Sequence, residues 1–145
     1  MKAQLSIDFI FAMTLLLIFS LGLMSFAFEE KEEVETLNHA AKVRVFAISL
    51  RDMINKVYAM GPGFAVVKDI PFTLGSKDNV TITVSTERKV TVVAYIEGKK
   101  YTVTETLQVP IFENTSVIIE NETTKKIVIK YEDGRGVILE RANGN

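Results

Sequence analysis

The sequence predicts an α+β fold: a long N-terminal α-helix, apolar in its first half and amphipathic in its second, followed by a small antiparallel β-sandwich-like head. Three observations carry this. Twenty uncharged, largely apolar residues run from Phe9 to Phe28. From Gln4 to Met60 there is no proline and one glycine, Gly22, so nothing breaks a helix. From Phe64 onward the apolar residues alternate with Thr, Lys and Glu at a period of two. At 145 residues, one compact domain plus the N-terminal segment is the natural count.

A 20-residue helix rises about 30 Å, the thickness of a bilayer's hydrocarbon core, so Phe9–Phe28 is expected to enter a membrane. A secretory signal peptide has a basic start, an apolar core of roughly 7–15 residues and a small-residue cleavage site after it. This run is longer, carries Asp8 at its entrance and lacks a following A-x-A. A single-pass anchor accommodates the length and places Lys2 on the inner side. It leaves Asp8 without a role, although an ionisable group at the edge of a span usually has one. A buried core helix of a soluble protein is rarely apolar on all sides for so long.

Beyond Phe28 the acidic burst Glu29-Glu30-Lys31-Glu32-Glu33 marks the exit from the apolar layer. The pattern then turns amphipathic. Val34, Leu37, Ala41, Val45, Ile48, Ile54 and Val57 are expected to form one stripe, widened by Phe46, Leu50, Met53 and Tyr58. Met60-Gly61-Pro62-Gly63 is the stop, since Gly61 can turn left-handed after the helix end and Pro62 cannot continue it. The helix so defined has about 55 residues and a length of roughly 80 Å.

Strands are expected near Phe64–Val67, at Val80–Thr86, Val90–Ile96 and Tyr101–Val109, and around Val117–Ile119, Ile127–Tyr131 and Val137–Leu139. Turn chemistry separates them at Gly75–Asn79, Glu87-Arg88, Glu97-Gly98, Pro110, Asn121-Glu122 and Asp133-Gly134. Six or seven short strands of this kind pack as a sandwich or a strongly twisted sheet on the second half of the helix.

The composition narrows function. There is no cysteine, which removes disulfides, cysteine zinc sites and thiol catalysis. The net charge of −1 offers no field for nucleic acid. The single histidine, His39, is expected on the solvent side of the helix without a second ligand at helical spacing. No H-E-x-x-H, Walker loop or G-x-S-x-G occurs, no metal or cofactor is implied, and an enzyme is not expected. Three N-x-S/T sequons begin at Asn79, Asn114 and Asn121, all at or near expected turns and all in the β-rich half.

Lys2-Ala3-Gln4-Leu5-Ser6-Ile7-Asp8-Phe9 resembles the class III signal sequence of archaeal type IV pilin-like proteins, K-[G/A]-Q-x-S-x-E before an apolar helix. Ile54–Gly63 also resembles the helix-to-sheet junction of such pilins. The departures are Ala3, where Gly is common, and Asp8, one methylene shorter than the usual Glu. The resemblance implies residues 1–3 as leader, 4–28 as transmembrane and filament-core helix, 29–60 as its amphipathic continuation and 64–145 as the head. A membrane prepilin peptidase would cut between Ala3 and Gln4, leaving the apolar segment on the mature chain. Asp8 would pair with the N-terminal amine of a neighbouring copy. Phe9, Phe11, Leu15, Leu16, Ile18, Phe19, Leu23 and Phe26 would pack in the core of a filament made of copies of the chain. The implied partners are the chain itself, the peptidase, the pilus assembly machinery and, before assembly, the membrane. Two other roles are compatible with the residues: a membrane-anchored surface binding protein, and a minor pilin or pseudopilin of a secretion or uptake machine.

Overall fold

A computed structural model describes residues 2–120 and 126–142, with side chains from Ile7 onward apart from Glu32. The order of elements is α1 (Lys2–Met60), β1 (Ala65–Asp69), β2 (Asn79–Ser85), β3 (Lys89–Ile96), β4 (Lys99–Thr106), β5 (Thr115–Glu120), β6 (Lys126–Glu132) and β7 (Gly136–Arg141). The chain divides into two units between Asn38 and His39.

The first unit is helix alone. Its large apolar residues from Ile7 to Phe28 are all exposed, from Met13 at 46% to Phe19 at 69%. The helix is long and apolar enough to anchor the chain in a membrane. Thr14 satisfies its hydroxyl inside the helix by donating to the Ile10 carbonyl at 2.8 Å, so it adds no unpaired polar group to the apolar run. Past the run, Lys31 and Glu35 pair one turn apart at 3.9 Å.

The second unit has one hydrophobic core shared by the rest of α1 and two antiparallel sheets. One sheet has the order β1-β6-β7, the other β4-β3-β2-β5. The helix contributes Val43, Phe46, Ala47, Leu50, Ile54 and Val57, all buried and spaced by three or four residues so that they share one face. This corrects the expected stripe. Ile54 and Val57 belong to the buried face, but Val34, Leu37 and Val45 are 61–66% exposed, Ala41 is exposed, and Ile48 is half-buried. At 100° per residue, Val45 and Ile48 lie about 150° from the centre of the buried face. His39 is corrected too. Its side chain is only 22% exposed, 3.7 Å from the Glu97 carboxylate and beside the Tyr101 ring.

Helix α1 stops where expected. Gly61 and Gly63 hold φ of 90° and 85°, which only glycine adopts without strain. The Gly63 N–H then donates to the Tyr131 carbonyl at 3.0 Å, and the Tyr131 N–H donates to the Phe64 carbonyl at 2.9 Å. Those bonds fix the start of β1 against β6. From β1 the chain crosses to the other sheet through Ile70, Phe72 and Leu74, which are buried without regular structure. The Phe72 ring meets Phe46 edge-on, 5.4 Å between centroids.

In the four-stranded sheet, Val80, Ile82 and Val84 of β2 and Val90, Val92, Ala94 and Ile96 of β3 face the core. The β3–β4 hairpin closes through Glu97 and Gly98, both at positive φ (53° and 77°), the conformation whose twist matches its strands. Strand β4 ends at Thr106, short of the Val109 expected. The Leu107 N–H still donates in register to the Arg88 carbonyl at 2.7 Å, and the chain then turns away, the Gln108 N–H donating to Asn55 Oδ1 at 3.2 Å. The order β1-β6-β7 brings strands far apart in sequence side by side. Val137 and Leu139 of β7 complete the core.

Candidate functional site

The apolar segment is the most conspicuous chemical feature. Phe9, Phe11, Leu15, Leu16, Ile18, Phe19, Leu23 and Phe26 are each more than half exposed and share one half of α1, while Ile10, Met13, Leu17, Leu21, Met24 and Phe28, also exposed, cover the other half. Their burial needs an apolar surrounding, lipid or other helices. Asp8 lies one residue before Phe9, exposed and on the helix, with no hydrogen bond or ion pair among the described residues. The backbone of Ala3 and Gln4 is helical, while their side chains lie outside the described residues.

A second apolar surface escaped the sequence reading. Val45 and Ile48, on the side of α1 away from the core, line a shallow groove with Ser49 and with Met53, which also packs against the core, and Asp52 and Lys56 stand at its polar margin. The signal was present, because Val45-Phe46-Ala47-Ile48 points apolar groups to both faces of a helix, but only the placement of the strands decides which face is covered.

Arg51, Lys130 and Arg135 of the sheet domain are paired with neighbouring carboxylates. Arg51 reaches across to Glu105 at 3.0 Å and to Asp52 at 2.9 Å. Lys130 bridges Glu132 at 2.6 Å and Glu140 at 2.7 Å. Arg135 bridges Glu113 at 2.9 Å and Glu132 at 3.1 Å. The hydrogen bonds from Lys130, with help from Arg135, hold the Glu132 carboxyl below the usual range, and Arg135 does the same for Glu113. Lys130 is correspondingly raised by Glu132 and Glu140. These are paired surface groups aimed at each other and not into a cleft. Among the described residues no group of three or more His, Asp or Glu side chains is placed to hold a metal ion.

Of the sequon asparagines, Asn114 is exposed just before β5 and its Oδ1 accepts the Thr86 N–H at 2.8 Å. Asn79 lies near a turn, as expected, but already inside the sheet. It is the first residue of β2, half-buried and paired with both Tyr95 and Glu120. Asn121 lies outside the described residues. No protein-family model, curated protein or solved structure matches the chain.

Proposed function

We propose that this chain is the structural subunit of an extracellular, archaeal type IV pilus-like filament, built through its apolar N-terminal helix after cleavage of the leader before Gln4. The observation that carries this reading is the all-round exposure of Ile7–Phe28. Fifteen large apolar side chains stand uncovered there. At about 1.5–3 kcal/mol for each one fully buried, the drive to cover them amounts to tens of kcal/mol relative to water. Lipid supplies that cover in the precursor, with Lys2 inside and the sheet domain outside. Removal of residues 1–3 deletes the charged inner anchor, and copies of the same helix then replace the lipid.

The contact between copies is head-to-tail and does not close, so it grows as a helical filament. Val45 and Ile48 give the sheet domain an apolar strip of its own for a neighbouring copy. Asp8 enters this packing next to the new amine of Gln4 on a neighbouring copy. A buried carboxylate without such a partner is strongly unfavourable, so pairing or protonation accompanies assembly. The sheet domains cover the outside and serve attachment to surfaces.

The test is the intact mass and N-terminal peptide of protein recovered from native cell surfaces. A start at Gln4 with Phe9–Phe28 retained is the expected result. A start at Met1 would make the chain a permanently anchored surface protein, and a start near Glu29 would make the segment an ordinary signal peptide. With cleavage established, Asp8→Ala is expected to leave processing intact and to reduce the yield of sheared filaments. Undiminished yield would remove Asp8 from assembly.

A further inference from the structure

Two of the three sequons can be compared atom by atom, and they differ in what the fold leaves free. The Thr86 N–H can only donate, so the Asn114 atom 2.8 Å away must be the carbonyl oxygen. That contact occupies the carbonyl oxygen and leaves Nδ2, the atom that takes a sugar, without a hydrogen bond among the described residues. Asn114 is exposed and closes an eight-residue stretch, 107–114, that lies outside any strand. Its hydroxyl residue, Ser116, is the second residue of β5, an edge strand.

Asn79 and its hydroxyl residue Thr81 lie in β2, which has β3 on one side and β5 on the other. To present Asn79-Val80-Thr81 as an extended acceptor peptide, both ladders must open and Val80 must leave the core, where it is fully buried. Presenting Asn114-Thr115-Ser116 opens only the first two pairs of one ladder, Thr115 with Val84 and Ser116 with Thr83.

The surface next to Asn114 also suits a sugar. Ser116, Thr83, Thr91 and Thr104 stand in register across all four strands, a row of hydroxyls free of charge. Thr83 and Ser116 are hydrogen-bonded at 3.2 Å, and Thr91 and Thr104 at 3.1 Å.

We propose that, of the two sequons within the described residues, Asn114 carries an N-linked glycan and Asn79 is left bare. In the transfer, Asn114 Nδ2 forms a bond to the anomeric carbon of a glycan carried on a polyprenyl phosphate or diphosphate. The bond from that carbon to the phosphate oxygen breaks, the lipid phosphate departs with the electron pair, and Nδ2 gives up one proton. The inference shares with the proposed function only the placement of the sheet domain outside the membrane.

The experiment is glycopeptide mapping and intact mass on the full chain isolated from its native cells, for wild type, Asn114→Gln, Ser116→Ala and Asn79→Gln. Ser116→Ala destroys the sequon while keeping the Asn114 contact to Thr86, so it separates loss of the glycan from loss of the fold. The expected result is a glycan mass on the Asn114 peptide, absent in N114Q and S116A and unchanged in N79Q. A bare Asn114 peptide in wild type, or equal occupancy at Asn79, overturns the proposal. The N-terminal peptide in the same spectra reports processing separately. A bare Asn114 on chains that start at Gln4 sinks the glycan alone, and a glycan at Asn114 on chains that start at Met1 sinks the filament alone.

Discussion

Helix α1 before Asn38 and helix α1 after His39 draw on the same apolar residue types and meet opposite fates. Phe9, Phe11 and Phe19 are 66–69% exposed, whereas Phe46 is 1% exposed and Leu50 fully buried. The later stretch interleaves Lys42, Arg44, Arg51 and Lys56 with its apolar residues, so one face can be closed by strands while another stays wet. The earlier stretch has no such face to turn to water. Burial therefore follows from period and from an available partner, and apolar content alone does not set it. The sheet domain closes a core of its own, while the large apolar residues of the first unit remain exposed on the helix.

The sharpest way to break this contrast is to separate the two units. A chain comprising His39–Asn145 is expected to be soluble, folded and monomeric by sedimentation and circular dichroism. The full chain is expected to require detergent or to form large particles, as follows from an uncovered surface worth tens of kcal/mol. A head that aggregates as readily as the full chain would show that its own exposed residues, such as Val45 and Phe112, matter as much as Phe9–Phe28.

A second test sits inside the later stretch, between its two faces. Phe46→Ala is expected to lower unfolding free energy by about 3–5 kcal/mol, because it leaves a cavity against Phe72 in a closed core. Val45→Ala, one residue away and 66% exposed, should change it by no more than about 0.5 kcal/mol. Urea titration of the sheet domain reads both. Equal effects would mean that the outward strip is covered in the monomer.

These neighbours also mark how far sequence reading reaches. The helix stop at Met60 was legible because Gly61 and Pro62 act through local backbone geometry. Every strand was legible within a few residues because alternation is local too, and so was the α+β class. The choice between the two faces of α1 was not, since Val45-Phe46-Ala47-Ile48 is compatible with either and the deciding contacts come from strands far along the chain. His39 failed for the same reason, drawn toward Glu97 and Tyr101 by the sheet. The order β1-β6-β7 was beyond reach, because alternation marks a strand without naming its neighbour. At the candidate site, Asp8 and Phe9–Phe28 stood out from charge and length alone. The bracing of Asn114 by Thr86 depends on a loop meeting a hairpin 28 residues away.

Within the sheet domain, Gly136 tests how closely the self-contained unit is fitted. It is buried with φ of 79°, and a Cβ there would lie 2.5 Å from the Phe112 ring. Gly136→Ala combines a left-handed conformation with a steric collision and is expected to destabilise by about 1–3 kcal/mol. Adding Phe112→Ala should recover the steric part and leave the backbone part, so the double variant falls between the single variant and wild type. A fully additive loss would place the strain in the backbone alone.

The smallest expected effect concerns charge, which the first unit lacks along its apolar run and the sheet domain carries in networks. Glu132 is hydrogen-bonded by Lys130 and Arg135, and Glu113 by Arg135, and both carboxyls titrate below the ordinary glutamate value of about 4.3. A carboxyl depressed on folding contributes stability above its unfolded pKa and loses it as the pH falls through the folded one. Stability of the sheet domain should therefore be level from neutral pH to about 5 and decline below about 4, where these two carboxylates take up protons. The pairs are exposed, so the decline is modest and weakens in 1 M salt, where the Debye length is about 3 Å. Glu132→Gln with Glu113→Gln should flatten that acid limb, as read by thermal melts between pH 3 and 7, since the charges that favour the ionised form no longer have a titrating partner. An unchanged limb in the double variant would assign acid sensitivity to other carboxylates and reduce the network to surface geometry without linkage to folding.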